Sequence, residues 1–359
     1  MYVKLFSIVI FVILSSVSAA NLPPKQENEI YQFEIIADRD KKAIGLSNTY
    51  ISNIRIGAVQ VIDENQLNIT FTTDSFDILT KYAYNGRGSE LSELLYFHGE
   101  YYTFDDKTGI IFRISNSDQL VPWVILGDGY GNETRGFKAE WATVKDDHIY
   151  VGSHGIETLV KKTGEIDNIN MQYVKKVSRD GAVVHENWSD VYNKLRIGIG
   201  MPFPGWIIHE AAVWSPINKK WIFIPRKCSP KPYLEVDDEY IGCNKIIFAN
   251  EDFTHIEFTN LQADPQPPER GFASFKFLPD SNEKIIVGLT TVEANNQVTT
   301  SIIAFDLQGK ILFPETKFID DKYEGLAFFK HPLETSSASN IKIFSWSLLI
   351  QVLLVLIYR

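Results

Sequence analysis

The segment Glu140-Trp141-Ala142-Thr143-Val144-Lys145-Asp146 begins with a carboxylate, continues as a short apolar strand and reaches a turn. Four other segments follow a similar pattern, each from an acidic or hydroxyl residue, and begin at Glu93, Glu210, Ser274 and Glu324. Successive starts lie 47, 70, 64 and 50 residues apart, and most segments run on into a second apolar strand. This spacing is typical of four-stranded blades with loop insertions, so the repeat predicts an all-β fold, a five-bladed β-propeller.

The remaining strands of the propeller lie near the N-terminus, at residues 30–37 and 54–72. Few stretches have a helical period, and aromatic residues make up 13% of the chain. Because aromatic side chains pack well on a pleated sheet, this composition agrees with the all-β prediction.

The first residues of the five repeats are expected to converge on the propeller axis, because the innermost strand of each blade lines the central channel. Four of them are glutamates: Glu93, Glu140, Glu210 and Glu324. Crowded carboxylates repel one another unless a cation lies between them. A ligand set made only of oxygen atoms favours Ca²⁺ or Mg²⁺ over transition metals. The repeat therefore predicts a central Ca-binding channel; the alternative is that these are ordinary polar residues at strand starts.

The net charge of −10 argues against binding to nucleic acid, which normally requires a basic stripe that neutralises phosphates. An acidic protein that handles phosphates needs a cation between itself and its substrate. This argument also favours a bound metal ion.

Both ends of the chain have segments typical of export. Lys4, an apolar run and then small residues predict a signal peptide at residues 1–20, the alternative being an uncleaved signal anchor. The apolar C-terminal segment favours a GPI signal over a short transmembrane anchor, and either would put the domain outside the cell. The predicted organisation is a signal peptide (1–20), a polar leader (21–30), a propeller domain (31–330), a polar spacer (331–342) and a hydrophobic tail (343–359).

Sequons and cysteines agree with a secreted or cell-surface location. Asn68, Asn132 and Asn187 each begin an Asn-X-Ser/Thr sequon and are predicted glycosylation sites. The two cysteines, Cys228 and Cys243, are predicted to form a disulfide. Closing a loop of this size stabilises the fold by roughly 3 kcal/mol.

Longer motifs follow one another along the chain from about residue 35 to residue 328. They include Gly86-Arg87-Gly88-Ser89-Glu90-Leu91-Ser92-Glu93-Leu94, Gly136-Phe137-Lys138-Ala139-Glu140-Trp141, Pro204-Gly205-Trp206-Ile207-Ile208-His209-Glu210, Gly271-Phe272-Ala273-Ser274-Phe275-Lys276-Phe277 and Lys322-Tyr323-Glu324-Gly325. In these motifs the chain resembles the calcium-activated nucleotidase family, also described as Cimex-type apyrases.

The resemblance implies a five-bladed propeller with Ca²⁺ in its channel. It also implies hydrolysis of nucleoside di- and triphosphates such as ADP, ATP, UDP and GDP, with release of phosphate. The implied metal region contains Ser92, Glu93, Glu140, Glu210 and Glu324, and the fourth repeat contributes Ala273 or Ser274. Ala273 could act only through its backbone carbonyl, and Ser92 has the same option.

Within the family-like motifs, Arg87, Lys138 and Arg226 are candidates to bind the phosphate chain, whereas Arg270 is expected to be a solvated surface charge. Phosphoryl transfer depends on positioning and on charge neutralisation. It also needs a carboxylate that orients or deprotonates the attacking water, and the candidates are Asp38, Asp105 and Asp106. Trp141 either stacks on the nucleotide base or packs in the core.

One stretch departs from the family pattern. Gly155-Ile156-Glu157-Thr158 lacks the Lys and Trp expected of a Gly-Lys-Glu-Trp-Thr-like motif, so base preference is expected to differ. Two rival functions remain open. A Ca²⁺-dependent propeller hydrolase of the lactonase or phosphotriesterase type would favour Asn or His in the metal shell. A non-enzymatic binding propeller would lack either the carboxylates or the basic residues. Oligomeric state and nucleotide preference stay open.

Overall fold

The computed structural model describes residues 29–115, 119–160, 163–234, 238–262, 268–294 and 297–329. The predicted signal peptide, nearly all of the leader, the polar spacer and the hydrophobic tail lie outside the described residues. Within the described residues, no helix combines the length and the apolar character needed to cross a bilayer.

Five four-stranded antiparallel sheets make up the propeller, which confirms the predicted fold class. In spatial order from the innermost strand, blade I contains β24 (Tyr323–Phe328), β1 (Ile30–Ala37), β2 (Tyr50–Asp63) and β3 (Gln66–Thr80). Blade II contains β4 (Leu91–Phe97), β5 (Glu100–Asp105), β6 (Ile110–Ile114) and β7 (Leu120–Ile125). Blade III contains β8 (Trp141–Lys145), β9 (His148–Gly152), β12 (Tyr173–Ser178) and β13 (Val183–Asn187). Blade IV contains β15 (Ala212–Ser215), β16 (Lys220–Phe223), β18 (Lys245–Asn250) and β19 (Ile256–Asn260). Blade V contains β20 (Gly271–Phe277), β21 (Ile285–Ala294), β22 (Gln297–Asp306) and β23 (Ile311–Ile319).

Blade I closes the ring, because its inner strand comes from the C-terminus and its other three strands from the N-terminus. β24 pairs with β1 from Phe33↔Phe328 to Ala37↔Tyr323. The five inner strands contact one another in the order β24, β4, β8, β15, β20 and back to β24. The first and last repeats in the sequence are therefore neighbours in space.

The insertions between repeats explain their unequal spacing. The longest interval, between Glu140 and Glu210, holds the two-stranded ribbon β10 (Thr158–Leu159) and β11 (Ile166–Asn168) and the helix α1 (Ser189–Gly198). A second ribbon pairs β14 (Trp206–Ile208) with β17 (Lys227–Ser229), where Cys228 forms a disulfide with Cys243. Short 3₁₀ helices cover Asp40–Ala43, Leu46–Asn48, Asn170–Gln172 and Asp238–Tyr240.

Apolar side chains between neighbouring blades form the core. Between blades III and IV lies an aromatic cluster that contains Trp141, Trp188, Trp214 and Trp221. Each buried aromatic ring removes a large apolar area from water, so such clusters hold adjacent blades together without pairing their backbones. This packing fixes the inner strands, whose first residues form the candidate site.

Candidate functional site

Three glutamates occupy the starts of inner strands. Glu140 directly precedes β8, Glu210 lies two residues before β15, and Glu324 is the second residue of β24. All three side chains are buried. The repeat thus brings carboxylates from blades III, IV and I to the same end of the propeller.

His154 lies between two of these glutamates, in the loop that follows β9. Its Nε2 is 2.9 Å from Oε1 of Glu140 and 3.2 Å from Oε1 of Glu210. Burial lowers the pKa of His154, but Glu140 outweighs burial and raises it overall. One ligand atom from each of the three residues lies within 4.8 Å of the others, which is close enough to share a metal ion.

Arg226 joins Glu210 to Glu324. Its Nη1 pairs with Glu210 and lies 3.1 Å from Oε1 of Glu324, and its Nη2 lies 2.7 Å from Oε1 of Glu293. Burial raises the pKa of Glu210, but Arg226 and His154 outweigh burial and hold it at about 2. Arg226 is therefore a buried cation that faces three carboxylates.

Lys322 is a second cation at the same end of the axis. Its Nζ lies 2.7 Å from Oδ2 of Asp38, 3.2 Å from Oε1 of Glu324 and 3.3 Å from Oε1 of Glu293. Burial nevertheless raises the pKa of Glu324 well above its ordinary value, although Lys322 and Arg226 oppose the rise. The cations beside Glu324 therefore do not offset the effect of its burial.

Lys138 links Glu140 to Asp106. Its Nζ pairs with Glu140 and lies 2.8 Å from Oδ2 of Asp106. Burial raises the pKa of Asp106, but Lys138 and Lys107 outweigh burial and hold it at about 2. The other oxygen of Asp106, Oδ1, is buried and accepts no hydrogen bond from the described residues. It is an acceptor aligned beside a basic group, which suits a bound water or ion.

The three candidate catalytic aspartates have different surroundings. Asp105 is committed to the backbone: Oδ2 accepts from the Ser89 N–H, and Oδ1 accepts from the N–H groups of Lys107 and Thr108. Burial raises the pKa of Asp105 to about 7 against these bonds. Asp38 accepts from the Asp40 N–H and from Lys322. Asp106 alone of the three has an oxygen atom that the described residues leave unbonded.

Arg87 and Arg226 lie on opposite sides of Lys322. Arg87 binds Glu90 through Nε at 2.7 Å and Nη2 at 2.5 Å, and Nη2 lies 2.8 Å from Oδ1 of Asp40. Burial, Asp38 and Asp106 raise the pKa of Glu90 to about 7, against Arg87. Lys107 connects the pair of Arg87 and Glu90 to Asp106. Its Nζ lies 3.5 Å from Oε2 of Glu90 and 3.2 Å from Oδ2 of Asp106.

These ion pairs form one network, which we call the acidic network. Among the described residues it joins eight carboxylates to five cations and one imidazole: Asp38, Asp40, Glu90, Asp106, Glu140, Glu210, Glu293 and Glu324 with Arg87, Lys107, Lys138, Arg226, Lys322 and His154. Carboxylates outnumber cations by three, or by two if the imidazole is protonated. The network therefore has more carboxyl groups than its own cations can balance, and the pKa values of Glu90 and Glu324 are raised.

Glu93 is separate from this network. Its carboxylate accepts from Lys276 Nζ at 2.7 Å, from Ser274 Oγ at 3.0 Å and from the Leu94 N–H at 2.9 Å. Burial raises the pKa of Glu93, and Lys276 opposes the rise. The fourth glutamate thus already has its own cation, the partly buried Lys276. Gly325 brings blade I close to it, since a Cβ there would lie 2.4 Å from the Leu94 backbone nitrogen.

Bulges interrupt three inner strands at the residues next to this end of the axis. The register of β4 with β5 passes from Leu91 to Glu93 and skips Ser92, and that of β20 with β21 skips Ala273. The register of β24 with β1 skips Glu324 in the same way. A bulged residue is left out of the ladder, and bulges often redirect groups beside active sites. The sequence motifs gave no sign of these bulges.

Two cavities flank Lys322. One, of about 400 Å³, is lined by residues that include Lys138, Glu140, His154, Glu210 and Arg226. The other, of about 390 Å³, is lined by residues that include Asp38, Asp40, Arg87 and Arg39. Val298 and Lys322 line both cavities, so together they form an elongated cleft at the end of the axis.

Two expectations from the sequence need correction. Trp141 lies in the core: it is 1% exposed, and its Nε1 donates to the Ser153 carbonyl at 3.2 Å, so it packs and does not stack on a base. Arg270 is not a solvated surface charge. It is 2% exposed, lies over the Phe272 ring and donates to Oδ1 of Asn244 at 2.6 Å. The sequon residues Asn68, Asn132 and Asn187 are all exposed, so their glycosylation stays a prediction.

Sequence reasoning missed His154, Glu293 and Lys322 as members of the site. Lys322 had a detectable signal, because it stands two residues before Glu324 as Lys138 stands two residues before Glu140. His154 and Glu293 lie outside the repeat positions, and only the fold brings them to the cleft.

Comparison with known proteins gives a consistent result. The family model described as Apyrase matches residues 37–329. The chain is 42% identical to an apyrase of Phlebotomus duboscqi over 92% of this chain and 97% of that protein. It is 43% identical to an apyrase of Cimex lectularius over 85% of each chain. It is also 42% identical to soluble calcium-activated nucleotidase 1 of Mus musculus, over 83% of this chain and 73% of that protein.

Proposed function

Because the chain belongs to the apyrase family, enzymes that hydrolyse the phosphoanhydride bonds of nucleotides, we propose that it is an extracellular, Ca²⁺-dependent apyrase. Its substrates are nucleoside tri- and diphosphates, from which it releases phosphate. The observation that carries the proposal is the acidic network, where eight carboxylates face five cations beside a cleft.

The residues present fit a calcium ion. Carboxylate oxygens and backbone carbonyls are the ligands that Ca²⁺ prefers, and the excess of carboxylates needs positive charge. Glu140, Glu210 and Glu324 would hold the ion, with Glu93 and the carbonyls of Ser92 and Ala273 nearby. The bulges at Ser92 and Ala273 support this set, because the strand ladders skip both residues. When bound, the ion would neutralise charge on the phosphate oxygens and polarise the phosphorus.

Four basic side chains bind the rest of the phosphate chain. Lys138 and Arg226 line one cavity, Arg87 lines the other, and Lys322 lines both. Asp106 and Glu140 raise the pKa of Lys138 well above its ordinary value despite its burial, so this lysine is fully charged at neutral pH. A row of fixed cations suits a polyanion, since preorganised charge stabilises the charge that develops in phosphoryl transfer.

Asp106 orients the attacking water. Its Oδ1 accepts no hydrogen bond from the described residues, and a water O–H can donate to it. The pKa of about 2 keeps the carboxyl ionised, so it serves as an acceptor at any physiological pH. Because a carboxylate with a pKa of about 2 is a weak base, it orients the water by accepting its hydrogen bond, and the proton of the water leaves on the released phosphate. Asp105 holds the loop that contains Ser89 and Lys107 through its three backbone bonds.

An extracellular location is supported by the signal-like segment at residues 1–20, by the three exposed sequon residues and by the Cys228–Cys243 disulfide. Disulfides persist mainly in oxidising compartments. Retention at the cell surface would depend on the apolar segment at residues 343–359, and phosphatidylinositol-specific phospholipase release separates a GPI anchor from a transmembrane one.

The full chain, secreted from eukaryotic cells, tests the proposal. ATP, ADP and UDP are each incubated with Ca²⁺ or with EGTA, and released phosphate and nucleotide products are measured. We expect phosphate release with Ca²⁺ and at most a trace with EGTA. Equal release in EGTA would overturn the Ca²⁺ dependence. Lactone and aryl phosphotriester substrates are run in parallel, because His154 is the kind of ligand those propellers favour; their hydrolysis without nucleotide hydrolysis would support the rival activity.

A further inference from the structure

The two cavities that flank Lys322 differ in charge. Among the described residues, the cavity of about 400 Å³ is lined by four glutamates, four basic side chains and His154. The cavity of about 390 Å³ is lined by three aspartates and by five basic side chains: Arg39, Lys41, Lys42, Arg87 and Lys322. We call this second space the basic cavity. Burial raises the pKa of one of its aspartates, Asp38, although Lys322 opposes the rise, and this further limits the negative charge there.

Arg39 and Lys42 are only weakly engaged by the rest of the protein. Nε of Arg39 and Nζ of Lys42 each lie 3.7 Å from an oxygen of Asp321, which is beyond hydrogen-bond distance. Nε of Arg39 is also buried and has no hydrogen-bond partner among the described residues. A buried donor without an acceptor costs free energy unless a water or a ligand satisfies it. Arg39 can therefore donate a hydrogen bond to a ligand in the basic cavity.

Lys322 connects the basic cavity to the rest of the cleft. It lines both cavities, so a phosphate chain that contacts Lys322 can extend from one cavity into the other. The Asp38 N–H donates to the Lys322 carbonyl at 3.0 Å, and Lys322 Nζ lies 2.7 Å from Oδ2 of Asp38. These two contacts hold the segment after β1 beside Lys322, and this segment contains Arg39 and the 3₁₀ helix with Lys41 and Lys42.

The charge of each cavity decides how a phosphate group is neutralised there. In the cavity of about 400 Å³ the glutamates equal the basic side chains in number, so a phosphate group needs a further cation. In the basic cavity the basic side chains outnumber the aspartates by two, so the protein itself balances the charge of a phosphate group. The guanidinium of Arg39 matches the geometry of phosphate oxygens, and the lysines add point charges.

We propose that the basic cavity is a subsite for the additional phosphate group of a nucleoside triphosphate, and that Arg39 and Lys42 determine this specificity. The inference rests on the proposed function, because its ligand is the phosphate chain of a nucleotide. Arg39 donates to the phosphate oxygens, and Lys41 and Lys42 contribute charge. The shorter phosphate chain of a diphosphate leaves these cations unused, so the protein binds triphosphates more tightly than diphosphates.

Kinetics with paired substrates test the subsite. For the full secreted chain, kcat/KM is measured with ATP and with ADP at saturating Ca²⁺. In Arg39→Gln we expect kcat/KM to fall at least about tenfold more for ATP than for ADP, because a hydrogen bond to a charged group contributes at least this factor. Lys42→Gln should change the ratio in the same direction. The matched control is Arg179→Gln, at an exposed position between β12 and β13, which should change neither value. Equal losses with both substrates, or no loss with ATP, would overturn the proposal.

Binding without turnover separates the subsite from the proposed function. Inorganic tripolyphosphate and pyrophosphate are each titrated in EGTA into the wild type and into Arg39→Gln, and affinities are measured by calorimetry. We expect the wild type to bind tripolyphosphate at least about tenfold more tightly than pyrophosphate, and Arg39→Gln to lose most of this difference. Equal affinities in the wild type, no binding of tripolyphosphate, or a difference that persists in Arg39→Gln would contradict the subsite. Phosphate release from ADP with Ca²⁺ is measured on the same preparation, so failure of the proposed function is seen separately.

Discussion

The ion pair of buried Glu93 with partly buried Lys276 allows a quantitative prediction. Glu93 is 1% exposed, and Lys276 lies 2.7 Å from its Oε2. Lys276→Met removes the cation and keeps a side chain of similar length. Breaking a buried pair by removing one partner costs about 3–5 kcal/mol, because the remaining charge is left uncompensated. Glu93 keeps its bonds from Ser274 and from the Leu94 N–H, so we expect the lower end, about 3 kcal/mol.

Thermal unfolding measures this cost. At about 2 °C per kcal/mol for a chain of this size, Lys276→Met should lower Tm by about 6 °C in EGTA. If Ca²⁺ binds near Glu93, it replaces the missing charge, and ligand that binds only the folded state raises Tm. The difference in Tm between variant and wild type should therefore shrink at saturating Ca²⁺.

Lys284→Met is the matched control, since Lys284 is an exposed lysine of the same blade. Its Tm should follow the wild type in both buffers. An unchanged Tm for Lys276→Met in EGTA would refute the reasoning about the buried pair. A decrease that is equally large with and without Ca²⁺ would refute the placement of the ion near Glu93.

Three further predictions concern other parts of the molecule. Burial lowers the pKa of Lys175 from 10.5 to about 8. Between pH 8 and pH 10.5 the unfolded chain therefore binds more protons at this lysine than the folded protein does. The free energy of unfolding should rise by up to about 3 kcal/mol relative to Lys175→Met as pH increases from about 8 to about 10.5; urea titrations measure it, and a pH-independent difference contradicts it. Asp106→Asn should lower kcat roughly 10²–10⁴-fold and also lower stability, because it removes a charged partner of Lys138, whereas Asp105→Asn should lower stability by about 1–3 kcal/mol with a much smaller effect on kcat. Steady-state kinetics and urea unfolding compare the two, and equal effects on kcat would argue against the separate roles. Trp141→Phe should cost about 1–3 kcal/mol and leave the ratio of kcat/KM for ADP and UDP unchanged, because the ring lies in the core; a changed ratio would indicate contact with the base.

The sequence predicted the propeller because its repeat is periodic and local. Each unit joins an acidic or hydroxyl residue to an apolar strand, and the five starts at Glu93, Glu140, Glu210, Ser274 and Glu324 indicate a common position in five blades. The sequence also assigned the segments at residues 30–37 and 54–72 to the strands left over, and the structure places them in blade I, where β1 pairs with β24.

The finer geometry of the site did not follow from the sequence. Equivalent repeat positions do not have identical neighbours, and Glu93 pairs with Lys276 while the other three glutamates join the acidic network. The bulges at Ser92, Ala273 and Glu324 depend on backbone register, which no side-chain pattern records. His154 reaches the site from a loop, so its role depends on the path of the chain after β9.

Charged residues also misled sequence reasoning where burial decides their role. Arg270 looked like a surface charge because its local sequence is polar, but the fold buries it against Phe272 and Asn244. Asp105 and Asp106 are adjacent and looked equivalent. Because successive side chains at a strand end point in opposite directions, Asp105 faces backbone N–H groups and Asp106 faces Lys138.

Parallel measurement of Ca²⁺ binding and phosphate release in Glu140→Gln tests the central claim most directly. Glu64→Gln, at an exposed turn of blade I, is the control. If the carboxylates at the strand starts hold the ion that hydrolysis needs, Glu140→Gln loses the calorimetric heat of Ca²⁺ binding and Ca²⁺-dependent phosphate release from ADP together, while Glu64→Gln keeps both. Wild-type Ca²⁺ affinity in Glu140→Gln, or phosphate release without bound Ca²⁺, would contradict the account.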